Sequence, residues 1–137
     1  LKLNGSLSYV KGDENETYGP MPSISPIFGT ISGEYTKDKI KISALYKFSG
    51  DKSPKDYSLG GEDGLEETPV ITENSNGIIY AGTPKWSDFS IYTNYDISED
   101  VKIRIALTNI FDNHYRTFAS GISAPGRSFQ IGLYLKL

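Results

Sequence analysis

The chain has no cysteine, one histidine and one methionine among its 137 residues. Without cysteine there is no disulfide framework and no thiolate metal site, although the compartment is left open. Nowhere does the sequence approach the roughly 18 consecutive apolar residues of a membrane helix. That excludes a helical membrane protein but not a membrane β-barrel, in which half of every strand is polar. The net charge is only −3 and no basic patch with interleaved aromatics is present, so no nucleic-acid partner is expected. No nucleophile–base pair, P-loop or metal-ligand spacing appears, and one histidine out of context makes no triad. The chain is therefore expected not to be an enzyme and to carry no cofactor. No segment holds a helical period for longer than a turn or two.

What is present is period-two alternation, together with ten Tyr, six Phe and fourteen Gly. Phe129, Ile131, Leu133, Leu135 and Leu137 form an apolar row interleaved with Ser128, Gln130, Gly132, Tyr134 and Lys136. Such alternation predicts a strand with one apolar face. A strand of about 9–11 residues can cross a bilayer within a closed barrel. Taken alone, it equally fits a half-buried strand of a soluble sheet. Five more segments alternate in the same way, predicting strands at about 1–10, 27–36, 39–49, 86–97 and 101–110 before the last at 127–137. The expected fold is all-β, an antiparallel up-and-down sheet.

The connections alternate in length. Thr36 to Lys39 and Ser98 to Asp100 suit tight hairpins, whereas Lys11 to Pro26, Gly50 to Lys85 and Phe111 to Pro125 are long. Outer-membrane barrels show this pattern, with short periplasmic turns and long extracellular loops. A structureless connection as long as 50–85 would be unusual in a compact soluble domain. Tyr9, Tyr35, Tyr46, Phe48, Trp86, Phe89 and Tyr95 fall near strand ends, where aromatic girdles sit. Six strands do not close a pore, since about eight is the usual minimum, and open edges in hydrocarbon leave costly unpaired backbone groups. A membrane chain of this kind is expected to be a piece of a larger barrel, in keeping with a start at Leu1 already inside a strand pattern.

Two late motifs resemble a known family. Asn109-Ile110-Phe111-Asp112-Asn113-His114-Tyr115-Arg116 resembles the N-[LI]-F-D-x-x-Y segment near the end of TonB-dependent outer-membrane receptors, and Pro125-Gly126-Arg127-Ser128-Phe129 resembles the P-G-R-x-[FY] that opens their final strand. Pro22 to Pro26 and Thr83 to Trp86 look like lead-ins to earlier strands of the same family. Gln130, Gly132, Leu135 and Leu137 occupy the positions of the assembly signal of outer-membrane barrels, with Leu137 where Phe is common. The resemblance implies the last six strands of a 22-stranded type of barrel, without the plug domain. It implies residence in the bacterial outer membrane among its lipids, and strand addition by the barrel-assembly machinery. It also implies uptake of a small-molecule ligand bound at extracellular loops, driven by the TonB complex through an N-terminal part absent here. The cargo classes implied are siderophore-bound iron, haem, cobalamin-like compounds, nickel chelates or glycans.

Candidate ligand-binding residues are few. His114 could help bind haem or a metal but has no ligand partners in sequence. Arg116 and Arg127 flank the last long loop and could grip a carboxylate or chelate, or hold the loop to the wall. Seven carboxylates between Asp51 and Glu73 are hard oxygen donors that could bind calcium. Their spacing fits no known loop, and charge runs are usually solvated. The run Lys11 to Glu16, with Asp13, Glu14 and Glu16, has the same ordinary explanation. A soluble β-sandwich, or a small barrel closed by oligomerisation, is the competing reading.

Overall fold

A computed structural model of the chain describes residues 1–12 and 19–136. The alternating segments become six strands of one antiparallel sheet: β1 (Lys2–Ser8), β2 (Phe28–Lys37), β3 (Ile40–Ser49), β6 (Trp86–Asp96), β7 (Val101–Thr108) and β8 (Ser128–Leu135). Between β3 and β6 the chain makes a separate two-stranded hairpin, β4 (Val70–Asn74) and β5 (Gly77–Tyr80). The sheet order is β1-β2-β3-β6-β7-β8, a meander in which every neighbour is antiparallel.

The register explains why the alternation matters. Directly paired residues of an antiparallel ladder share a face. Ile31 pairs with Tyr46, Tyr46 with Phe89, Ile91 with Leu107 and Leu107 with Phe129. Every strand therefore turns its apolar set to the same side. The other side carries Thr30, Lys47, Asp88, Arg104 and Gln130. A slip of one residue at any pair would invert a whole strand, and none of these pairings slips.

Among the described residues no second layer packs on the apolar side, where Phe111 alone of the loop residues is seen to stack on a strand residue, Phe89. Leu3 is 73% exposed, Ile31 56%, Leu133 61% and Ile131 68%, and the buried hydrophobic residues among those described are only Tyr57 and Ala106. Tyr57 lies in a loop, and Ala106 is on the polar side, opposite Gln130. The sheet has no apolar core of the kind a sandwich needs.

Both short turns lie at one end. Asp38 and Lys39 form the first, with Asp38 at φ 49°, a left-handed conformation that Asp tolerates. Residues 97–100 form the second, and Lys39 Nζ donates to the Ile97 carbonyl at 3.0 Å, joining the two turns. The long connections gather at the opposite end.

Several predicted features are corrected. The 50–85 connection is not structureless: it holds two single-turn 3₁₀ helices, at Pro54–Asp56 and Leu65–Glu67, and the β4–β5 hairpin. Strand β7 stops at Thr108 rather than at 110 because Asn109 turns to φ 47°, outside strand conformation. Trp86 is not part of an aromatic girdle on the apolar side. It pairs with Ser49 and shares the polar side with Asp88 and Ser90. Strand β8 ends at Leu135, although the Lys136 amide still donates to the Asp100 carbonyl at 2.9 Å. Leu137 and the acidic residues Asp13, Glu14 and Glu16 lie outside the described residues.

Candidate functional site

The protein's buried polar residues converge at the loop end of the sheet. The 109–127 connection starts with Asn109, whose left-handed backbone sends the chain back over the sheet. Its side-chain amide donates to the carbonyls of Asn113 and Pro125, at 2.9 and 3.0 Å, while its Oδ1 accepts the Asn113 amide at 3.0 Å. Its own amide donates to Ser90 Oγ at 3.2 Å. One buried side chain thus closes the loop on itself. Asp112, also at positive φ, accepts the Arg127 amide at 2.8 Å, which sets the approach to β8. The Arg127 guanidinium lies 3.8 Å from the same carboxylate. Gly126 sits tight against Asp112, since a Cβ there would be 3.1 Å from Oδ1.

Within this loop the two aromatic residues of the motif part company. Phe111 lies on the apolar side, stacked on Phe89 with centroids 6.0 Å apart. Tyr115 lies on the polar side, where its ring stacks on Trp86 at 4.2 Å and its hydroxyl donates to Asp88 at 3.0 Å. Burial, then the hydrogen bond to Asp88 and that residue's charge, push the Tyr115 phenol from 10.0 up to about 12. Asp88 also receives Lys47 at 3.0 Å and Ser90 Oγ at 3.0 Å. The loop therefore folds inward across the polar side.

The 50–85 connection is anchored by a buried ion pair. Lys52 Nζ lies 2.9 Å from Asp63 Oδ2 and donates to the Ile24 carbonyl at 2.7 Å. It also sits over the rings of Phe118 at 4.1 Å and Tyr57 at 4.9 Å. Asp63 Oδ1 accepts the Ser23 amide at 2.7 Å. Burial works to raise the Asp63 carboxyl, but the Lys52 and Ser23 hydrogen bonds and the Lys52 charge outweigh it and hold the group below its ordinary 3.8. Three chain segments, near residues 23, 57 and 118, meet on one ammonium group. Tyr57 packs edge-on against Phe118 and shares a 2.5 Å hydrogen bond with Thr83, its phenol pushed upward mainly by burial.

Between the second and third long connections lies a cavity of about 290 Å³, whose walls include Glu67, Pro84, Lys85, His114, Tyr115 and Arg116. Of the residues predicted as ligand candidates, His114 and Arg116 reach it, and Arg127 instead lies just before β8. Arg116 donates to the Glu67 carbonyl at 3.0 Å and to Ser123 Oγ at 3.2 Å. The acidic residues of 51–73 do not assemble into a metal site: among the described residues, no three His, Asp or Glu side chains come together as ligands. Asp63, one of the seven carboxylates expected as possible calcium donors, is instead paired with Lys52, and neither that pairing nor the place of Lys85 on the cavity wall is legible in the sequence. A lysine and an aspartate eleven residues apart in an acidic loop carry no local signal of being paired.

No family model matches the chain, and a search of curated proteins finds no match. Solved structures do match. The fold is that of an antiparallel up-and-down barrel wall, and the copper transporter OprC superposes on it with a TM-score of 0.68 at 17% identity. The match covers 97% of this chain and 21% of OprC, so the chain spans about a fifth of that protein's length.

Proposed function

We propose that this chain is wall and loop structure of an outer-membrane transporter of the TonB-dependent kind, taking up a scarce ligand from outside the cell. The carrying observation is the apolar side of the sheet, exposed on all six strands with no apolar core behind it. In water, an uncovered surface of that extent marks an interaction with a partner or a membrane. Strands of eight to eleven residues, as in β2, β3, β6, β7 and β8, suit a tilted crossing of the bilayer core. Among the described residues, the outer edges of β1 and β8 have no neighbouring strand. In hydrocarbon such edges must be paired, so the sheet belongs in a larger closed barrel, completed by barrel-assembly machinery at the β8 edge.

In this placement the short turns face the periplasm and the long connections face outward. The loops fold inward over the polar, lumen-facing side, where ligand would meet them. The cargo class proposed is a metal-bearing one, an iron chelate such as a siderophore complex or haem, or a cobalamin-like compound. The likeness to a copper transporter supports a metal-bearing cargo without choosing among metals. Energy would come from the TonB complex acting on a part of the transporter outside this chain. The chain's own role is structural and ligand-contacting, with no catalytic step. The soluble-sandwich alternative requires an apolar core, and the described sheet has none.

The test is surface labelling in intact bacteria. Tags in 70–80 and 117–122 should be accessible to an impermeant reagent, whereas a tag at 38–39 should react only after the outer membrane is permeabilised. Equal reactivity of all three, or recovery of the chain in the soluble fraction, would end this reading.

A further inference from the structure

The walls of the 290 Å³ cavity concentrate positive charge in a chain whose net charge is −3. Lys85, Arg116 and His114 border it, and the acidic side chain on its wall is Glu67. That carboxylate is already engaged, with Oε2 3.7 Å from Arg116 Nη1. Arg116 spends Nη1 on the Glu67 carbonyl and Nε on Ser123, and among the described residues Nη2 has no partner. Lys85 Nζ and the His114 imidazole likewise have no hydrogen-bond or ion-pair partner among the described residues. Three groups able to donate to an anion therefore border one concavity, and among the described residues Lys85 Nζ, the His114 imidazole and Arg116 Nη2 are left without an acceptor.

The rest of the wall is suited to holding a ligand rather than merely attracting counter-ions. The backbone is fixed on both sides: Thr83 by its paired bonds with Lys52, at 2.9 and 3.1 Å, and Tyr115 by its stack on Trp86 and its bond to Asp88. Pro84 and the Tyr115 ring supply apolar contact. The volume lies near the lower end of the range for small-molecule pockets, about 300–1,000 Å³.

From this arrangement we infer that the cavity is a binding subsite for a small anion bearing two or more oxyanion groups, gripped by Arg116 and Lys85 and closed on one side by His114. The unengaged Nη2 of Arg116 can donate a charge-assisted hydrogen bond to one carboxylate or phosphate oxygen, and the ammonium answers a second group as a point charge. The inference deepens the uptake reading and rests on it for the site's exposure to the outside of the cell.

Trp86 is the chain's one tryptophan, and it stacks on the Tyr115 ring that forms part of the wall, so its emission reports occupancy. In the intact protein that carries this chain, solubilised in detergent micelles, citrate and pyrophosphate are titrated separately at constant ionic strength and the emission is read against a Trp86→Phe variant. A saturable change in Trp86 emission with either probe is expected, and the stronger binder tells whether carboxylate or phosphate is preferred. Arg116→Gln and Lys85→Gln should each weaken binding about tenfold, the loss of one charge-assisted contact. Arg116→Lys should recover part of it, and Lys55→Gln, which removes an exposed lysine outside the cavity, should change nothing. Absence of saturation with both probes overturns the site, as does affinity unchanged in both Arg116→Gln and Lys85→Gln. Failure of the uptake reading shows separately: binding in micelles by a chain whose loops are not on the cell surface keeps the site and removes the transporter.

Discussion

Lys52 and Asp63 meet at 2.9 Å inside the loops, with side chains only 5% and 2% exposed. A buried pair of opposite charges thus sits not in the sheet but in the connections at one end of it. The ion pair ties together segments that sequence distance keeps apart, since Lys52 also holds the Ile24 carbonyl and Asp63 the Ser23 amide.

Breaking that pair by removing one partner leaves a buried charge uncompensated. Lys52→Met is expected to cost about 3–5 kcal/mol of loop stability, because Asp63 is stranded. The double change Lys52→Met with Asp63→Leu should recover much of this. Protease cleavage within 50–85, measured against the intact sheet, reads the difference. Equal cleavage in the single variant and the unchanged chain would show that the pair does not hold the loops.

The same pair sets an acid limit. Asp63 titrates below its ordinary 3.8 in the folded protein. A depressed carboxyl contributes stability that is complete above the unfolded value and is lost as pH falls through the lower, folded one. Loop protection should therefore be flat down to about pH 4 and decline only below it. Asp63→Asn should remove this acid step. Protection that already declines between pH 6 and pH 5, well above any shifted carboxylate of this kind, would contradict it.

Tyr115 sets an alkaline limit of opposite sign. Its phenol is raised from 10.0 to about 12, so its contribution is complete below pH 10 and is lost as pH rises toward 12. Difference absorbance of the tyrosinate band, comparing the unchanged chain with Tyr115→Phe, should show one phenol titrating late. Trp86 emission should change over the same interval as the stack on Tyr115 is disturbed.

Gly82 is a position where no other residue fits. Its φ is +77°, and a Cβ would collide with the Lys52 carbonyl. Gly82→Ala should cost on the order of 1–3 kcal/mol and break the paired bonds between Lys52 and Thr83. The expected readout is loop cleavage like that of Lys52→Met, with strand content by circular dichroism unchanged.

The sheet was legible in the sequence because period-two alternation is a local signal. Phe129, Ile131 and Leu133 announce their face without reference to any partner, and the paired strand, β7, obeys the same rule independently. The ends of the strands were less legible. Asn109 reads as one more polar position, and only its left-handed backbone and its bonds to Asn113 and Pro125 stop β7 where it stops. Trp86 lies on the polar side, which its position near a strand end does not foretell, because an aromatic residue there suits both a girdle and a stack. The partner that decides between them, Tyr115, is 29 residues away. The hairpin at 70–80 escaped notice because Val70, Ile71, Ile78 and Ile79 do not alternate, and a bulge falls at Ile71. His114 and Arg116 were singled out in sequence, whereas Lys85, across the cavity from another loop, could be joined to them only by the fold.

The most direct test of the membrane placement uses the absence of cysteine, which allows clean single-site spin labelling. Labels placed one at a time at Ile103, Arg104, Ile105 and Ala106 on β7, and at Gln130, Ile131, Gly132 and Leu133 on β8, are scanned in bacterial outer membranes. Collision rates with oxygen and with a water-soluble nickel chelate are measured at each site. Oxygen should dominate at Ile103, Ile105, Ile131 and Leu133, and the chelate at Arg104, Gln130 and Gly132, in strict alternation. Chelate access at all eight positions, or oxygen preference on the Arg104 side, would contradict a lipid-facing sheet.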